Sequence, residues 1–326
     1  MAMSNRQRFK ETMHYGRPDR VPYFEEGIRD EVVQAWRRQG LAADADLATL
    51  FPSDPVEHIE PDFDPRPMFD EWPTSRAELA ALEKRLDPAD AARLPENWAE
   101  QAQALKSQDT VRMLWVHQGF FLSAGVERWN RFNFVMHALK KDPRFVHEMM
   151  AIWGEFTAAL AERMLTSVDI DAAVFSEPIG DNHGPLISPE MYEEFVLPSY
   201  DSLLQVLRRH NVETLIFSTY ANARLLIPSI LKWGFNCLWA YEVVIDAMDY
   251  RDLRREFGRD LRLIGGIDLD ALRKGKEAIR EEIEAKVPSL VAAGGYVPLA
   301  DGRVREDVAF EDYAYYRETL RSVLER

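Results

Sequence analysis

The stretch that decides the fold is DPRFVHEMMAIWGEFTAALAERMLTSVDIDAAVF, residues 142–175. Asp142 followed by Pro143 is typical of a helix start, because a capping side chain precedes a proline at the first helical position. Apolar residues then recur at spacings of three and four as far as Leu160, which predicts an amphipathic helix. The apolar run 172–175 predicts a buried strand after this helix.

The same alternation of helix and strand continues along the chain in both directions. Ser188, Pro189 and Glu190 begin a second predicted helix with a cap, a proline and an acid in its first turn. The predicted strands are residues 20–24, 58–63, 111–116, 172–175, 214–218, 237–244, 261–267 and 296–299. Eight strands separated by helices predict an α/β protein, and in particular a (β/α)₈ TIM barrel.

The length leaves room for one insertion in this barrel. The chain has 326 residues, whereas a plain barrel needs roughly 250. Residues 65–108 are polar and rich in Ala and Glu, with Ser75 and Glu78 at the spacing of a capping box. We interpret them as a small helical insertion over the mouth of the barrel, in the N-terminal half of a single domain spanning residues 1–326.

Composition excludes several classes of function. Because 40 Lys and Arg face 55 Asp and Glu, the net charge of −15 argues against a nucleic-acid or membrane-surface partner. The single cysteine, Cys237, excludes an intramolecular disulfide and an all-protein Cys₂His₂ or Cys₄ zinc site, and its apolar surroundings predict a buried thiol. The N-terminus lacks an apolar signal segment and no run of 18 apolar residues occurs, so the predicted location is the cytoplasm.

Polar residues that follow each predicted strand are the candidate site residues, because the carboxyl ends of barrel strands meet at one mouth. In chain order they are Glu25, Arg29, His117, Glu177, His183, Tyr220, Asn222, Glu242, Asp268, Arg303 and Arg305. Carboxyl groups favour proton transfer, and arginines favour an anionic substrate. The alternative for each single residue is a helix cap or an ion pair.

No cofactor motif stands beside these residues. No tight H-x₃-H or H-E-x-x-H spacing occurs, so no metal site is predicted, and no G-x-G-x-x-G or Walker spacing occurs, so no nucleotide cofactor is predicted. His183 lies between Asn182 and Gly184 in a loop, where its switchable charge favours a functional role and a plain surface position is the alternative.

Three stretches resemble one known family. They are RQRFKETMHYGRPDRVPYF (residues 6–24), GPLISPEMYEEFVLPSY (184–200) and GGYVPLADGRV (294–304). They resemble the uroporphyrinogen decarboxylase (URO-D) superfamily, in which a short helix leads through R-P-D-R-V-P into the first strand. The resemblance implies a TIM barrel and one of two activities, decarboxylation of uroporphyrinogen or corrinoid-dependent methyl transfer.

The methyltransferase branch fits better. Decarboxylases of uroporphyrinogen hold substrate carboxylates with an arginine-rich N-terminal segment, but here FEEGIRDE offers only Arg29, and Glu25 and Glu26 would repel an octacarboxylate. Zinc-dependent methyltransferases use H-x-C after the fifth strand and a further Cys or His near the last. This chain has Ser218-Thr219-Tyr220 and Asp301-Gly302 instead, so the resemblance implies a methyltransferase without the usual zinc ligands.

The resemblance therefore implies transfer of a methyl group from a small O- or N-methylated substrate to a separate corrinoid protein, with no tightly bound cofactor in this chain. Without zinc the leaving atom needs a general acid, for which Glu177, Tyr220 and His183 are candidates. Arg303 or Arg305 would hold a substrate carboxylate, and Glu242 and Asp268 would orient these groups or bind a harder metal ion.

Two alternatives stay open. One is a decarboxylase of a smaller organic acid, with Arg29, Arg303 and Arg305 on the carboxylates. The other is a metal-free, non-catalytic binding barrel. The sequence also leaves open a homodimer.

Overall fold

The computed structural model describes residues 2–241 and 248–325. The chain forms two compact units, described separately below. One comprises the residues up to Val56, Asp109–Val111 and the residues from Cys237 onward, and the other comprises Glu57–Gln108 and Arg112–Asn236. The single-domain organisation stays a prediction.

Helices alternate with short strands along the described chain. The α-helices are α1 Asn5–Met13, α2 Asp30–Arg38, α3 Leu47–Leu50, α4 Leu79–Arg85, α5 Trp98–Ser107, α6 Phe120–Ser123, α7 Trp129–Lys141, α8 Pro143–Leu165, α9 Pro189–Met191, α10 Asp201–Arg209, α11 Ile227–Lys232, α12 Tyr250–Phe257, α13 Leu269–Arg273, α14 Lys276–Ala293 and α15 Phe310–Leu324. The strands are β1 Val56–Ile59, β2 Val111–His117, β3 Ala172–Ser176, β4 Gly180–Asp181, β5 Gly184–Pro185, β6 Thr214–Thr219, β7 Cys237–Ala240, β8 Arg262–Gly265 and β9 Tyr296–Val297. Shorter 3₁₀ turns cover Arg76–Glu78, Ala91–Arg93, Leu197–Tyr200 and Arg224–Leu226.

Parallel strands form the centre of the unit that contains residues 112–236. Their order is β1-β2-β3-β6, and β3 is paired in parallel with both β2 and β6. Strand β3 reads AAVFS and is buried on both faces, as expected of a central parallel strand. Because the strands run the same way, their carboxyl ends share one edge, at which His117 is in register with Phe175 and Ser176 with Ser218.

Helix α8 confirms the prediction made from the stretch 142–175. Asp142 caps it by accepting a hydrogen bond from the backbone N–H of Phe145, and Pro143 is the first helical residue. Its apolar stripe is buried, including Met149 and Trp153.

The second predicted helix exists but is irregular. Ser188 accepts a hydrogen bond from the backbone N–H of Met191, which confirms the predicted cap. Helix α9 then widens into a π-helix over Tyr192–Val196 and tightens into a 3₁₀ turn over Leu197–Tyr200. Pro198 lies in the tight turn and has no N–H to donate, so a regular helix would lose a hydrogen bond there.

The region 65–108 is helical, as predicted. It contains α4, α5 and two 3₁₀ turns. Glu78 accepts hydrogen bonds from the backbone N–H groups of Thr74 and Ser75, at 2.6 and 3.3 Å, so the predicted capping box is present.

The other unit holds the parallel strands β7, β8 and β9 in that order. Its core is aromatic: the Tyr313 ring lies 4.9 Å from both the Trp36 and Phe51 rings, between centroids. Cys237 is buried in β7, as predicted. Burial raises the pKa of its thiol well above the usual range, so it stays protonated.

One predicted strand is wrong. Residues 20–24 are not a strand in the described structure. The backbone N–H of Tyr23 donates to the Asp54 carboxylate at 3.0 Å, and the Tyr23 carbonyl accepts from the Asp54 N–H at 2.8 Å. Pro22 has no N–H to donate, and Tyr23 uses its backbone N–H and carbonyl on Asp54, so these groups do not pair with a neighbouring strand. Of the strand predicted at 237–244, residues 242–244 lie outside the described residues.

Candidate active site

Glu177 stands at the carboxyl end of β3, where the parallel ladder holds its backbone. Its N–H donates to the carbonyl oxygen of Ser218 on the neighbouring strand at 2.7 Å, and its own carbonyl accepts from Ile179 at 2.8 Å. The backbone is therefore fixed on both sides of the side chain. This is the edge at which α/β proteins place functional groups.

The Glu177 carboxylate is fully buried and accepts three hydrogen bonds from neutral donors. The backbone N–H of Phe120 donates to Oε1 at 2.8 Å. The hydroxyls of Tyr200 and Tyr192 both donate to Oε2, at 2.7 and 3.1 Å. These bonds favour the ionised carboxylate, but burial outweighs them and raises the pKa of Glu177 to about 7. The group therefore exchanges its proton near neutral pH.

The irregular helix explains how two tyrosines reach one oxygen. Tyr192 begins the π-helix and Tyr200 ends the 3₁₀ turn, so the widened and tightened turns both lie between them. Both rings are buried, and burial raises the pKa of each phenol well above its usual range. Both tyrosines therefore remain hydrogen-bond donors at neutral pH.

His117 ends the adjacent strand β2 and is 1 % exposed. Its Nδ1 accepts a hydrogen bond from the backbone N–H of Gly119 at 2.7 Å, so the ring proton is on Nε2. Within the described parts of the chain, Nε2 has no hydrogen-bond partner. Burial lowers the pKa of His117 to about 3, so the ring is neutral at neutral pH. Leaving such a donor unpaired costs roughly 1–3 kcal/mol, which is unusual in a protein interior.

Tyr200 joins the two titratable groups. The centroid of its ring lies 4.7 Å from that of His117 in an edge-to-face contact, while its hydroxyl binds Glu177. The structure thus brings together two of the predicted site residues, His117 and Glu177, and the Tyr200 side chain contacts both of them.

The three other predicted site residues in this unit are more exposed. The His183 side chain is 96 % exposed, and its Nδ1 lies 3.3 Å from the Asp181 carboxylate. Tyr220 is 57 % exposed. The backbone N–H of Asn222 donates to the carbonyl of Asp181 at 2.8 Å, which ties the two loops together. Neither His183 nor Tyr220 shares the buried environment of Glu177.

In the other unit, Glu25 forms a buried ion pair. Its Oε2 lies 3.1 Å from Nη1 of Arg317, and the two side chains are 8 % and 5 % exposed. Burial raises the pKa of Glu25, and Arg317 opposes that shift. The carboxylate is thus already engaged by a cation of its own unit. Glu26, its neighbour in the sequence, is half-buried.

The remaining predicted residues of that unit lie on loops and helix starts. Arg29 is exposed before α2, 3.8 Å from Glu31. The Asp268 side chain caps α13 by accepting from the backbone N–H of Asp270, and its own backbone N–H donates to Glu282 at 2.8 Å. Arg303 and Arg305 are exposed in the loop after β9. Glu242 lies outside the described residues. The roles of these residues stay predictions.

Sequence reasoning missed Tyr192, Tyr200 and Gly119. The two tyrosines lie in a helical pattern, where aromatic residues normally fill the core, so no local signal marks them. Gly119 has φ +97° and ψ 159°, a conformation that is essentially restricted to glycine, and it turns the Phe120 N–H toward Glu177. The position of this glycine, two residues after the end of β2, is the one hint that the sequence offers.

Metal ligands do not assemble in the described residues: no three His, Cys, Asp or Glu side chains there are placed to hold an ion. Ser218 and Thr219, at the end of β6 where the resemblance implies zinc ligands in zinc-dependent methyltransferases but none in this chain, are buried hydroxyl residues. Nor does any helix of the described chain have the length and apolar character needed to cross a membrane.

We expect the purified protein to carry far less than one zinc ion per chain. Hydroxyl and carbonyl oxygens at the end of β6 do not replace the thiolate and imidazole ligands that zinc prefers. Elemental analysis after dialysis checks this. A stoichiometric zinc content would contradict the prediction and would place the ligands among residues not described in this structure.

Stability should report the protonation of Glu177. Its pKa rises from 4.5 to about 7 on folding, so between these values the unfolded chain loses the proton and the folded chain keeps it. The free energy of unfolding should therefore fall as the pH rises from about 4.5 to about 7, by roughly 3 kcal/mol, and change little above that.

Glu177→Gln isolates this effect, since other groups titrate in both proteins. Urea unfolding at several pH values should give a wild-type-minus-variant difference that declines with pH over this window. A difference that is flat from pH 5 to 8 would mean that Glu177 does not titrate there.

Parallel strands with polar residues at their carboxyl ends are the arrangement found in α/β barrels. The sequence model of the family described as uroporphyrinogen decarboxylase (URO-D) matches residues 63–297, and the chain belongs to that family. This confirms the predicted resemblance and the predicted fold class, the (β/α)₈ TIM barrel.

Individual relatives agree with this assignment. Uroporphyrinogen decarboxylases from Nostoc sp. and Trichormus variabilis are 22% and 21% identical to the chain over 183 residues, which is 56% of this chain. The chain spans about half the length, 49%, of the curated relatives it matches. A solved structure, a methyltransferase from Methanosarcina mazei, matches with a TM-score of 0.67 at 13% identity, covering 98% of this chain and 99% of that one. At that identity the likeness shows the fold alone.

Proposed function

We propose that this protein is an enzyme in which Glu177 acts as general acid while a methyl group leaves a small O- or N-methylated substrate for a separate corrinoid protein. One observation carries the proposal: a fully buried carboxyl group whose pKa is about 7, at the carboxyl end of a barrel strand. The fold likeness to a methyltransferase supports the reaction class.

The proposed reaction needs a general acid because the leaving oxygen must be protonated. When the bond between oxygen and the methyl carbon breaks, the electron pair stays on oxygen, and an alkoxide is a poor leaving group at neutral pH. A proton from the Glu177 carboxyl neutralises that oxygen. The hydroxyls of Tyr192 and Tyr200 and the Phe120 N–H then stabilise the carboxylate that remains. The corrinoid, held by its own protein, would supply the nucleophile that accepts the methyl group.

Glu177 is a better acid than the two other candidates. The side chains of His183 and Tyr220 are largely exposed, so water competes for their protons. Glu177 has both burial and fixed donors. In the proposal, His117 and Asn222, two other predicted residues of the same unit, serve substrate binding.

Decarboxylation of a small organic acid is the second candidate, favoured by the decarboxylases among the curated relatives. There the bond between the substrate carbon and its carboxylate breaks, carbon dioxide leaves, and the electron pair stays on carbon. Glu177 would protonate that carbanion. The same residue thus serves either reaction, and the products separate them.

The test supplies the purified protein with methoxylated compounds, methylamines and small organic acids, together with a reduced corrinoid as acceptor. A change in the corrinoid absorbance and a demethylated product are expected. Release of carbon dioxide without methyl transfer would support the second candidate instead. Binding without either product would leave a non-catalytic barrel.

A further inference from the structure

His117 holds a buried donor that the proposed proton transfer does not use. The hydrogen bond from Gly119 to Nδ1 fixes the proton on Nε2. In the residues that the structure describes, no acceptor faces this N–H, and the ring is 1 % exposed. Buried donors in native proteins nearly always have partners, so the missing acceptor points to a ligand atom.

The neighbourhood of this N–H is rich in donors. The Phe120 N–H and the hydroxyls of Tyr192 and Tyr200 already converge on Glu177, which is the acceptor of the cluster. A ligand that enters beside His117 meets a further donor, not a second carboxylate. Such a surface suits an atom with lone pairs, and a positive charge has little to gain there.

We propose that the Nε2–H of His117 donates a hydrogen bond to an oxygen atom of the substrate, so that the site selects oxygen-linked methyl donors, neutral or anionic, over methylammonium ions. This inference rests on the proposed function and narrows its substrate class. It makes His117 a substrate-binding residue, adjacent to the acid through Tyr200.

Charge supports the same selection. A methylammonium ion presents N–H or C–H groups and no lone pair. It therefore has no atom that can accept a hydrogen bond from the imidazole N–H. A protonated His117 would repel it further, and a neutral one gives it no acceptor, since Nδ1 is occupied. Because burial lowers the pKa of His117 to about 3, the ring keeps its single N–H throughout the neutral range.

Two substitutions separate the two nitrogens of the ring. His117→Asn places an amide oxygen near the position of Nδ1, where it can still accept from Gly119, and removes the distal N–H. His117→Gln extends its amide N–H₂ toward the position of Nε2 and restores the distal donor. If the N–H at the Nε2 position binds the substrate, His117→Asn should lose affinity for it and His117→Gln should restore that affinity.

The probe is 2-methoxyphenol, with tetramethylammonium as the cationic control, and binding is measured by calorimetry. We expect wild type to bind 2-methoxyphenol more tightly than tetramethylammonium. His117→Asn should weaken 2-methoxyphenol about tenfold, and His117→Gln should recover most of that loss. Melting temperatures show whether each variant is folded.

A spectroscopic readout covers the case of a destabilised variant. In the wild-type protein, ¹⁵N NMR of the histidine ring should show the proton on Nε2, and that proton should shift downfield when 2-methoxyphenol is added. A proton on Nδ1, no shift with the probe, no binding of 2-methoxyphenol, or equal binding by His117→Asn would overturn the inference.

Failure of this inference is distinguishable from failure of the proposed function. If Glu177→Gln loses turnover while His117→Asn binds the probe as well as wild type, Glu177 is still supported as the general acid, but the hydrogen bond from His117 to the substrate is refuted. If His117→Asn binds the probe weakly while Glu177→Gln keeps full turnover, the hydrogen bond from His117 is supported and the role of Glu177 as general acid is refuted.

Discussion

A Glu177→Gln enzyme is expected to turn over its substrate roughly 100- to 10,000-fold more slowly than wild type at neutral pH, the usual contribution of a general acid. The amide has nearly the shape of the acid but no proton to give. Its oxygen can still accept from Phe120, and its N–H₂ can donate to the tyrosine oxygens after their hydroxyls rotate. The fold should therefore persist, and steady-state kinetics with circular dichroism check both points.

Glu148→Gln is the matched control. It is the same chemical change on a carboxylate that pairs with Arg76, outside the cluster, and it should leave turnover close to wild type. The wild-type rate should also fall above about pH 7 as Glu177 loses its proton. Should Tyr220→Phe or His183→Gln instead cause the larger loss, the acid would be one of those residues.

Gly119→Ala should destabilise the protein by about 2–6 kcal/mol. Its backbone, at φ +97° and ψ 159°, costs other residues about 1–3 kcal/mol. An added Cβ would also lie 2.7 Å from Pro178 Cδ, 2.9 Å from the Ser176 carbonyl oxygen and 3.0 Å from Glu177 Oε1. Such overlap typically costs a further 1–3 kcal/mol or so. Denaturant unfolding measures the loss.

Gly275→Ala separates these two costs. Gly275 also precedes a helix, with φ +91° and ψ 179°, but an added Cβ there meets nothing within 4 Å. It should cost only the backbone part, about 1–3 kcal/mol. Equal losses in the two variants would show that the close approach to Glu177 relaxes freely.

Local patterns predicted much of the fold, because they are set by neighbours in the sequence. The pair Asp142-Pro143 specifies its own helix start, and the apolar run in β3 needs only a buried place in a sheet. The segment 20–24 shows the limit. Its composition suits a strand, but Asp54, more than thirty residues away, takes its hydrogen bonds.

The candidate site was predictable only in part for a similar reason. Glu177 and His117 follow strand ends, and topology alone brings such residues to one edge. Two tyrosines reach Glu177 because the helix widens into a π-helical turn. The spacing of apolar residues in the sequence does not predict such a turn. The sequence left a surface position open as the alternative for His183 and did not decide it, since a loop's path depends on contacts such as that between Asn222 and Asp181.

The rate at which the single thiol, Cys237, reacts with a reagent should report how often the strand that contains it opens. A bulky disulfide reagent cannot reach a sulfur that is buried in β7 and kept protonated. Modification must therefore wait until β7 separates from its neighbour β8, with which Cys237 is in register beside Arg262. The labelling rate, compared with that of a free thiol, converts directly into the free energy of that opening. As the chain has one cysteine, the signal comes from a single known position without any engineered substitution.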